Sequence, residues 1–255
     1  MSLIDSLPSE ILCLMVKTFA LRSRSPSELV RLRLVSRRLN FYAAVHAVGI
    51  RNEVVDIRHT RIDDSGLLVI ASLVKAGKAC RRFMLGEFCQ CSEETSTKCG
   101  PCSRLSPFSV RHALQAIASS CDLRFVDLID IHNAGEVIDG LGGFFNGMEH
   151  LSLERSQLNI KRLLSIAFYS RRLTSLDLSF IRYCPFSMLD LLSNKYLFPK
   201  LKQVDFSFTT TTVQVVRALI RGRPSVRFVD VQWTDLTDED CQILQAEFAA
   251  VEIAI

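Results

Sequence analysis

One short pattern recurs along most of the chain and constrains its fold more than any other feature. In its clearest copy, Leu173-Thr-Ser-Leu176-Asp-Leu178-Ser179, apolar residues stand at i, i+3 and i+5, with an aspartate between the last two. Because successive side chains of a strand point to opposite faces, Leu176 and Leu178 should share one face, and Asp177 should lie on the other. Weaker or equal copies centre on positions 55, 83, 126, 151, 204 and 229.

The spacing of these copies predicts a repeat architecture. Successive centres are separated by 28, 43, 25, 25, 28 and 25 residues, and all but one of these values fall within the roughly 20–29-residue period of leucine-rich repeats. Between the strands, apolar residues at helical spacing predict helices over Val110–Ala118, Glu136–Phe145, Ile160–Tyr169, Phe186–Leu192 and Val213–Ile220. Residues 49–255 are therefore expected to form an α/β solenoid of about seven repeats, with parallel concave strands and convex helices. An eighth strand is expected from Val251.

The ninth residue of each copy, counted from the position that Leu173 occupies in the clearest one, predicts where turns deviate from the pattern. The ninth residue is Thr60, Ser156, Thr209 and Thr234 in four copies, but Phe88, Ile131 and Ile181 in the others. A hydroxyl can bond to the neighbouring backbone and an isoleucine cannot. We therefore expect irregular turns around positions 131 and 181.

Residues 1–48 follow a different pattern and are expected to form a small all-helical module. Pro8 suits a first helical turn, where its missing N–H costs nothing. Two apolar stripes at helical spacing follow, made of Ile11, Leu12, Met15, Val16 and Phe19, and then of Leu29, Leu32, Val35 and Leu39. So few residues form only a marginal core, and such a module usually depends on a neighbour or a partner.

This N-terminal module, which we call the head, also resembles a known motif. Leu7-Pro8-x-Glu10-Ile11-Leu12, Leu29 and Val35-Ser36-Arg37-Arg38 resemble the F-box, the helical module through which substrate receptors dock on the Skp adaptor of Skp–cullin–F-box ubiquitin ligases. Three features depart from the family: Met15-Val16 stands where an Ile-Phe pair is usual, Leu39 stands where a Trp is common, and the segment of residues 22–27 is a few residues longer than typical. The resemblance implies adaptor contacts by Leu7, Pro8, Ile11, Leu12, Met15, Val16, Leu29, Leu32, Val35 and Leu39. A generic helical cap on the repeats is the alternative.

The resemblance implies a function for the whole chain. An F-box followed by leucine-rich repeats is the organisation of one large group of substrate receptors, so the chain is expected to hold a target protein while the Skp adaptor connects it to a cullin. The alternative is a leucine-rich-repeat scaffold without a ligase role. In either case the chain would not be an enzyme.

The residues between the apolar pairs suggest where a target binds. If the strands stack in register, these residues form a column of Asp56, Met84, Asp127, Ser152, Asp177, Asp205 and Asp230. Carboxylates on neighbouring strands repel one another, and we expect Arg124, Lys202 and Arg227 in adjacent columns to offset the repulsion. A basic or hydroxyl-rich target segment would bind Asp127, Asp177, Asp205 and Asp230, with Phe228 and Trp233 as aromatic anchors. Alternatively, aspartate is simply common at this position of the repeat.

The 43-residue spacing between the strand centres at 83 and 126 contains a cysteine-rich insertion at residues 86–106. Cys89, Cys91, Cys99 and Cys102 could hold a tetrahedral zinc ion, which would order a loop that lacks an apolar core. A polar loop with free thiols is an alternative. Redox chemistry at Cys99-Gly-Pro-Cys102 is another, although the strand-then-helix context of that chemistry is missing. Apart from a zinc ion here, the sequence indicates no cofactor.

Other classes of function are disfavoured. The five histidines are scattered without metal-ligand spacing, and His132 and His150 are expected to be surface or rim residues. Basic and aromatic residues do not alternate as nucleic-acid surfaces require, and the apolar runs are too short to cross a bilayer. Nine cysteines without an export signal favour a reducing compartment, the cytoplasm or the nucleus.

Overall fold

The computed structural model describes residues 53–58, 62–86, 105–131, 133–139, 141–158, 160–181 and 185–255. The predicted F-box module of residues 1–48 and the four cysteines Cys89, Cys91, Cys99 and Cys102 lie outside these ranges. The chain divides into two compact units, Met1–Leu123 and Arg124–Ile255. Each unit contains parallel strands that alternate with helices.

The described part of the first unit consists of β1 (Val54–Asp56), α1 (Asp64–Gly77), β2 (Arg82–Gly86) and α2 (Pro107–Ala118). The two strands pair in parallel, with Val55 opposite Phe83. The side chain of Asp63 caps α1 by accepting a hydrogen bond from the Gly66 amide at 2.7 Å. The two helices are joined by a hydrogen bond of 2.8 Å from the Ser106 amide to Asp64 Oδ1.

The second unit contains six strands that follow one another in sequence order. Helices alternate with them, so the unit is built from β3 (Phe125–Ile129), α3 (Ala134–Asp139), a 3₁₀ segment (Gly142–Gly147), β4 (His150–Ser152), α4 (Ile160–Tyr169), β5 (Ser175–Asp177), α5 (Pro185–Ser193), β6 (Gln203–Asp205), α6 (Val213–Gly222), β7 (Phe228–Asp230), α7 (Asp238–Glu247) and β8 (Glu252–Ala254). Every neighbouring pair from β3 to β8 is parallel. Consecutive parallel strands, each followed by a crossover helix, are the arrangement of leucine-rich repeats.

The observed register confirms the predicted strand centres in this unit. Residues 126, 151, 176, 204 and 229 lie directly opposite one another on successive strands. The expected eighth strand is also present, but Val229 pairs with Ile253. The observed spacing from Val229 to Ile253 is 24 residues. It is one residue shorter than the 25 residues between Val226 and Val251, from which the strand was predicted.

The core lies between the strands and the helices. The apolar residues on either side of the column position are buried, as in Leu176 and Leu178, and Asp177 between them is half-buried. From the helical side, Leu163, Ile166, Leu191, Val216 and Leu219 are buried as well. Since burying one such side chain contributes about 1.5–3 kcal/mol, stacking of the repeats is the main source of stability.

The turns after β3 to β7 are regular as far as the structure describes them, and the prediction of irregular turns around 131 and 181 is wrong at residues 130–131 and 180–181. The residue three positions after each column residue has a left-handed backbone in five successive repeats, with φ of 56° at Asp130, 56° at Arg155, 58° at Phe180, 57° at Phe208 and 56° at Trp233. The amide of Phe180 donates to the Ser207 carbonyl of the next repeat at 3.0 Å, and the amide of Asp130 donates to Glu154 at 2.8 Å. Backbone bonds between repeats therefore hold these turns. At position 131 the Ser156 hydroxyl of the next repeat adds to them, because it accepts the Ile131 amide and donates to the Leu128 carbonyl, both at 2.9 Å.

The predicted helices are confirmed with one exception. Glu136–Phe145 was expected to be a single helix, but the structure has α3 and a separate 3₁₀ segment there. The segment begins with Gly142 and Gly143, and glycine disfavours a continuous α-helix. None of the helices in the described ranges is long and apolar enough to cross a membrane.

Candidate functional site

The column of acidic residues forms in the second unit with the predicted register. Asp127 lies opposite Ser152, and Ser152 lies opposite Asp177. Asp177, Asp205 and Asp230 then occupy three adjacent strands, and the column ends at Ala254. We call Asp177, Asp205 and Asp230 the acidic column.

Each carboxylate of the acidic column also closes its own turn. Oδ1 of Asp177 accepts the amide of Ser179 at 2.9 Å, and Oδ1 of Asp205 accepts the amide of Ser207 at 2.8 Å. Oδ1 of Asp230 accepts the amide of Gln232 at 2.9 Å in the same way. Such a bond to the amide two residues ahead is a local turn that aspartate forms readily. The position therefore favours aspartate for a structural reason, whether or not a ligand binds there.

Among the described residues, the partners of the three carboxylates of the acidic column are not the basic residues that the sequence suggested. Nη1 of Arg227 donates to the carbonyls of Pro224 and Val226 at 2.6 and 2.7 Å. Arg124 pairs with Glu149, 3.2 Å away. Lys202 is exposed. The column instead receives backbone amides and, at Asp177, a hydrogen bond of 2.7 Å from the Ser152 hydroxyl.

Asp205, the central residue of the acidic column, has a raised pKa. Burial raises the pKa of Asp205, and hydrogen bonds from Ser207 lower it in part. The neighbouring charges of Asp177 and Asp230 raise this pKa further. Because like charges on adjacent strands disfavour ionisation, the column is a site where a bound cation would relieve repulsion.

Asp127 differs from the other column aspartates because it is buried, with 3% of its surface exposed. Its Oδ1 lies 3.0 Å from Nε2 of His150, and Nδ1 of His150 lies 2.9 Å from the hydroxyl of Ser175. The order of carboxylate, imidazole and hydroxyl is that of an acid–base relay. The backbone amide of Ser175, however, donates to the Glu149 carbonyl at 3.1 Å, so it cannot stabilise an oxyanion. We therefore assign the network a structural role that links three repeats.

A row of stacked aromatic rings was missed by the sequence analysis. Phe180 and Phe208 stack with ring centroids 4.1 Å apart and an interplanar angle of 9°. Phe208 and Trp233 stack at 5.8 Å and 16°. We call Phe180, Phe208 and Trp233 the aromatic row. A signal was present in the sequence, because each ring stands three residues after a member of the acidic column.

The two predicted aromatic anchors occupy different places. Trp233 ends the aromatic row and is the most exposed of its members, at 77%. Phe228 lies within β7, is half-buried, and stands opposite Gln203 and Glu252 on the neighbouring strands. Trp233 therefore has a ring partner in the adjacent repeat, and Phe228 belongs to the strand surface beside Asp230.

The predicted zinc site at Cys89, Cys91, Cys99 and Cys102 falls outside the described residues. Within the described ranges, no group of three or more potential ligands is placed to hold a metal ion. Cys80 and Cys121 are buried free cysteines of the first unit, and burial raises the pKa of Cys80 to about 12. A thiol that stays protonated is neither a good metal ligand nor a nucleophile.

Comparisons with known proteins give matches among solved structures only. No protein-family model matches the chain, and no curated protein matches its sequence. Among solved structures, the chain is similar to a leucine-rich-repeat protein of Leptospira interrogans, with 11% sequence identity and a TM-score of 0.36. The match covers 83% of this chain and 62% of that protein.

Proposed function

We propose that the chain is the substrate-recognition subunit of a Skp–cullin–F-box ubiquitin ligase. The observation that carries the proposal is the combination of an F-box-like head, Leu7 to Arg38, with the alternating parallel strands and helices that the structure shows within each unit. The head would dock on the Skp adaptor and, through it, on a cullin. The repeats would bind a target protein on the surface that carries the acidic column and the aromatic row.

The proposed mechanism needs no catalytic residue in this chain. Holding a target beside the ubiquitin-transferring enzymes of the complex raises its effective concentration, and this proximity accelerates the transfer. The stacked repeats suit this task because each repeat adds side chains at fixed spacing to one continuous surface. The complex would act in the cytoplasm, in the nucleus or in both.

Docking on the adaptor is tested by changing the head without changing the repeats. We expect the full chain to co-purify with the Skp adaptor, and the double variant Leu7→Ala/Pro8→Ala to lose the adaptor because two apolar contacts are removed. A matched control is Phe168→Ala/Tyr196→Ala, which removes two side chains that are 64% and 78% exposed in the second unit. Retention of the adaptor by the head variant, or equal loss in the control, would contradict the proposal.

A second measurement separates a ligase subunit from a scaffold that merely binds the adaptor. Proteins captured by the intact chain should turn over more slowly in cells that carry the head variant, because they remain bound but are no longer modified. Unchanged turnover, with adaptor binding intact in the parent protein, would favour the scaffold.

A further inference from the structure

We propose that the aromatic row and the acidic column together bind an arginine-containing segment of a partner protein. This inference deepens the proposed function and rests on it only in that the repeats bind a protein target. It is carried by the stacking of the rings, by their exposure and by the charge beside them.

The aromatic row is exposed although its rings are large and apolar. Phe180, Phe208 and Trp233 expose 36%, 44% and 77% of their surfaces. Their spacing follows from the roughly 4.8 Å distance between neighbouring strands, which places equivalent side chains at stacking distance. The row therefore presents a continuous aromatic strip whose exposure increases toward Trp233.

The backbone conformation of the three ring-bearing residues does not favour aromatic side chains. All three residues have a left-handed backbone, with φ between 56° and 58°. For residues other than glycine this conformation costs about 1–2 kcal/mol, and asparagine or glycine would fit the turn better. Backbone preference therefore disfavours the three rings at these positions, although the left-handed turn itself is a regular feature of the repeat.

An arginine of the chain itself already stacks on a ring of the row. At the other end of the row, the guanidinium carbon of Arg155 lies 4.6 Å from the centroid of Phe180. Arg155 occupies the equivalent position of the preceding repeat, and its φ of 56° matches that of the rings. A planar guanidinium stacks well on an aromatic face because it is delocalised and weakly hydrated.

Charge complementarity favours the same ligand beside the row. Asp177, Asp205 and Asp230 stand three residues before the three rings, on adjacent strands. An arginine stacked on Trp233 could also form an ion pair with a neighbouring carboxylate, which a neutral ligand could not. Burial is the main cause of the raised pKa of Asp205, but the charges of Asp177 and Asp230 raise this pKa as well, and a bound cation would offset that part of the effect.

The single tryptophan of the chain makes the proposal directly measurable. Binding is followed with the full chain by selective tryptophan fluorescence, and in parallel by the anisotropy of dye-labelled peptides. The probe peptide contains two arginines separated by glycine, and matched peptides carry lysine or the uncharged isostere citrulline in their place. We expect saturable binding of the arginine peptide that weakens with added salt, and weaker binding of the other two.

Variants locate the binding surface. Trp233→Ala should weaken binding of the arginine peptide by about 10-fold, because the open stacking face of the indole ring is lost. Asp230→Asn should weaken it by about 3-fold, since an amide keeps the turn but loses the charge. Tyr196→Ala, which removes a tyrosine that is 78% exposed and is not part of the row, should leave binding unchanged. Circular dichroism of each variant verifies folding.

Defined outcomes would overturn the proposal. Equal affinity for the citrulline peptide, the same loss in Tyr196→Ala as in Trp233→Ala, or no saturable signal would each reject it. A response to a neutral oligosaccharide in place of the peptide would reject it in favour of a carbohydrate ligand. The result is independent of the ligase proposal, because Leu7→Ala/Pro8→Ala should lose the adaptor but keep the arginine peptide.

Discussion

Nε2 of His150 lies 3.0 Å from Oδ1 of Asp127, and this contact joins β3 to β4 in the second unit. The imidazole continues to the Ser175 hydroxyl on β5, 2.9 Å from Nδ1. The side chains of Asp127 and His150 expose only 4% and 23% of their surfaces. Water therefore weakens an interaction between these two side chains less than it would at the surface.

We predict that Asp127 and His150 are energetically coupled. In a double-mutant cycle with Asp127→Ala and His150→Ala, urea unfolding should give a coupling free energy of about 1–3 kcal/mol. The reference cycle uses Arg124 and Glu149, which are 3.2 Å apart with side chains 37% and 33% exposed. Their coupling should stay below about 1 kcal/mol because this pair is more accessible to solvent, which screens it. Equal coupling in the two cycles would contradict the structural role assigned to the network.

A second prediction concerns Arg223, whose side chain is 1% exposed. Its guanidinium donates to the carbonyls of Leu192, Leu197 and Asn194 at 2.8, 3.1 and 3.2 Å. Leu192 lies at the end of α5, where carbonyls lack helical partners and a cation is favoured. Burial lowers the pKa of Arg223 to about 10, so it stays charged at neutral pH.

We expect Arg223→Met to lower the free energy of unfolding by about 2–4 kcal/mol, because three buried carbonyls lose a charged donor. Arg223→Lys should recover only part of this loss, since one ammonium cannot reproduce the planar set of donors. The matched control is Arg221→Met, which removes an exposed arginine paired with Glu247 at 2.6 Å and should change stability little. A similar effect of both Met variants on urea unfolding would contradict the stabilising role of the bonds from Arg223 to the three carbonyls.

The strands and the core could be predicted from the sequence because they depend on local pattern. The apolar pairs around Asp177 and Asp205 alternate with period two, and burial of one face fixes the register of a strand. A shift of one residue would turn Leu176 and Leu178 toward solvent. The predicted centres were therefore confirmed strand by strand in the second unit.

The turns and the aromatic row could not be predicted in the same way because they depend on contacts between repeats. The regular turn at Ile181 follows from the bond between the Phe180 amide and the Ser207 carbonyl, residues that are 27 positions apart. The row needs the same backbone position in three repeats of unequal length. The link from His150 to Asp127 is diagonal across two strands, so neither residue indicates the other in the sequence.

A third prediction uses the raised pKa of Asp205. A carboxyl with a higher pKa in the folded state binds protons more tightly there than in the unfolded chain, so its ionisation destabilises the fold. This destabilisation is complete above the folded pKa and disappears as the pH falls to the unfolded value of 3.8. We therefore expect Asp205→Asn to be more stable than the parent protein at pH 7, with a difference that vanishes toward pH 3.8.

The measurement is urea unfolding of both proteins at several pH values. Asp235→Asn, which changes an exposed carboxylate beyond the end of β7, is the control and should show no such trend. A stability difference that grows as the pH is lowered would contradict the direction of the Asp205 shift.

The last prediction tests the left-handed backbone beneath the aromatic row. Phe208 has φ of 57°, a conformation that glycine adopts freely and alanine adopts at a cost of about 1–2 kcal/mol. Phe208→Gly and Phe208→Ala both remove the ring, so their difference isolates the backbone. We expect the glycine variant to be the more stable by about 1 kcal/mol in urea unfolding. At exposed Gln203, within β6, the order should reverse, and alanine should exceed glycine by about 0.5–1 kcal/mol. If alanine is also better at 208, the turn is not held left-handed in solution, and the stacking geometry of the row fails with it.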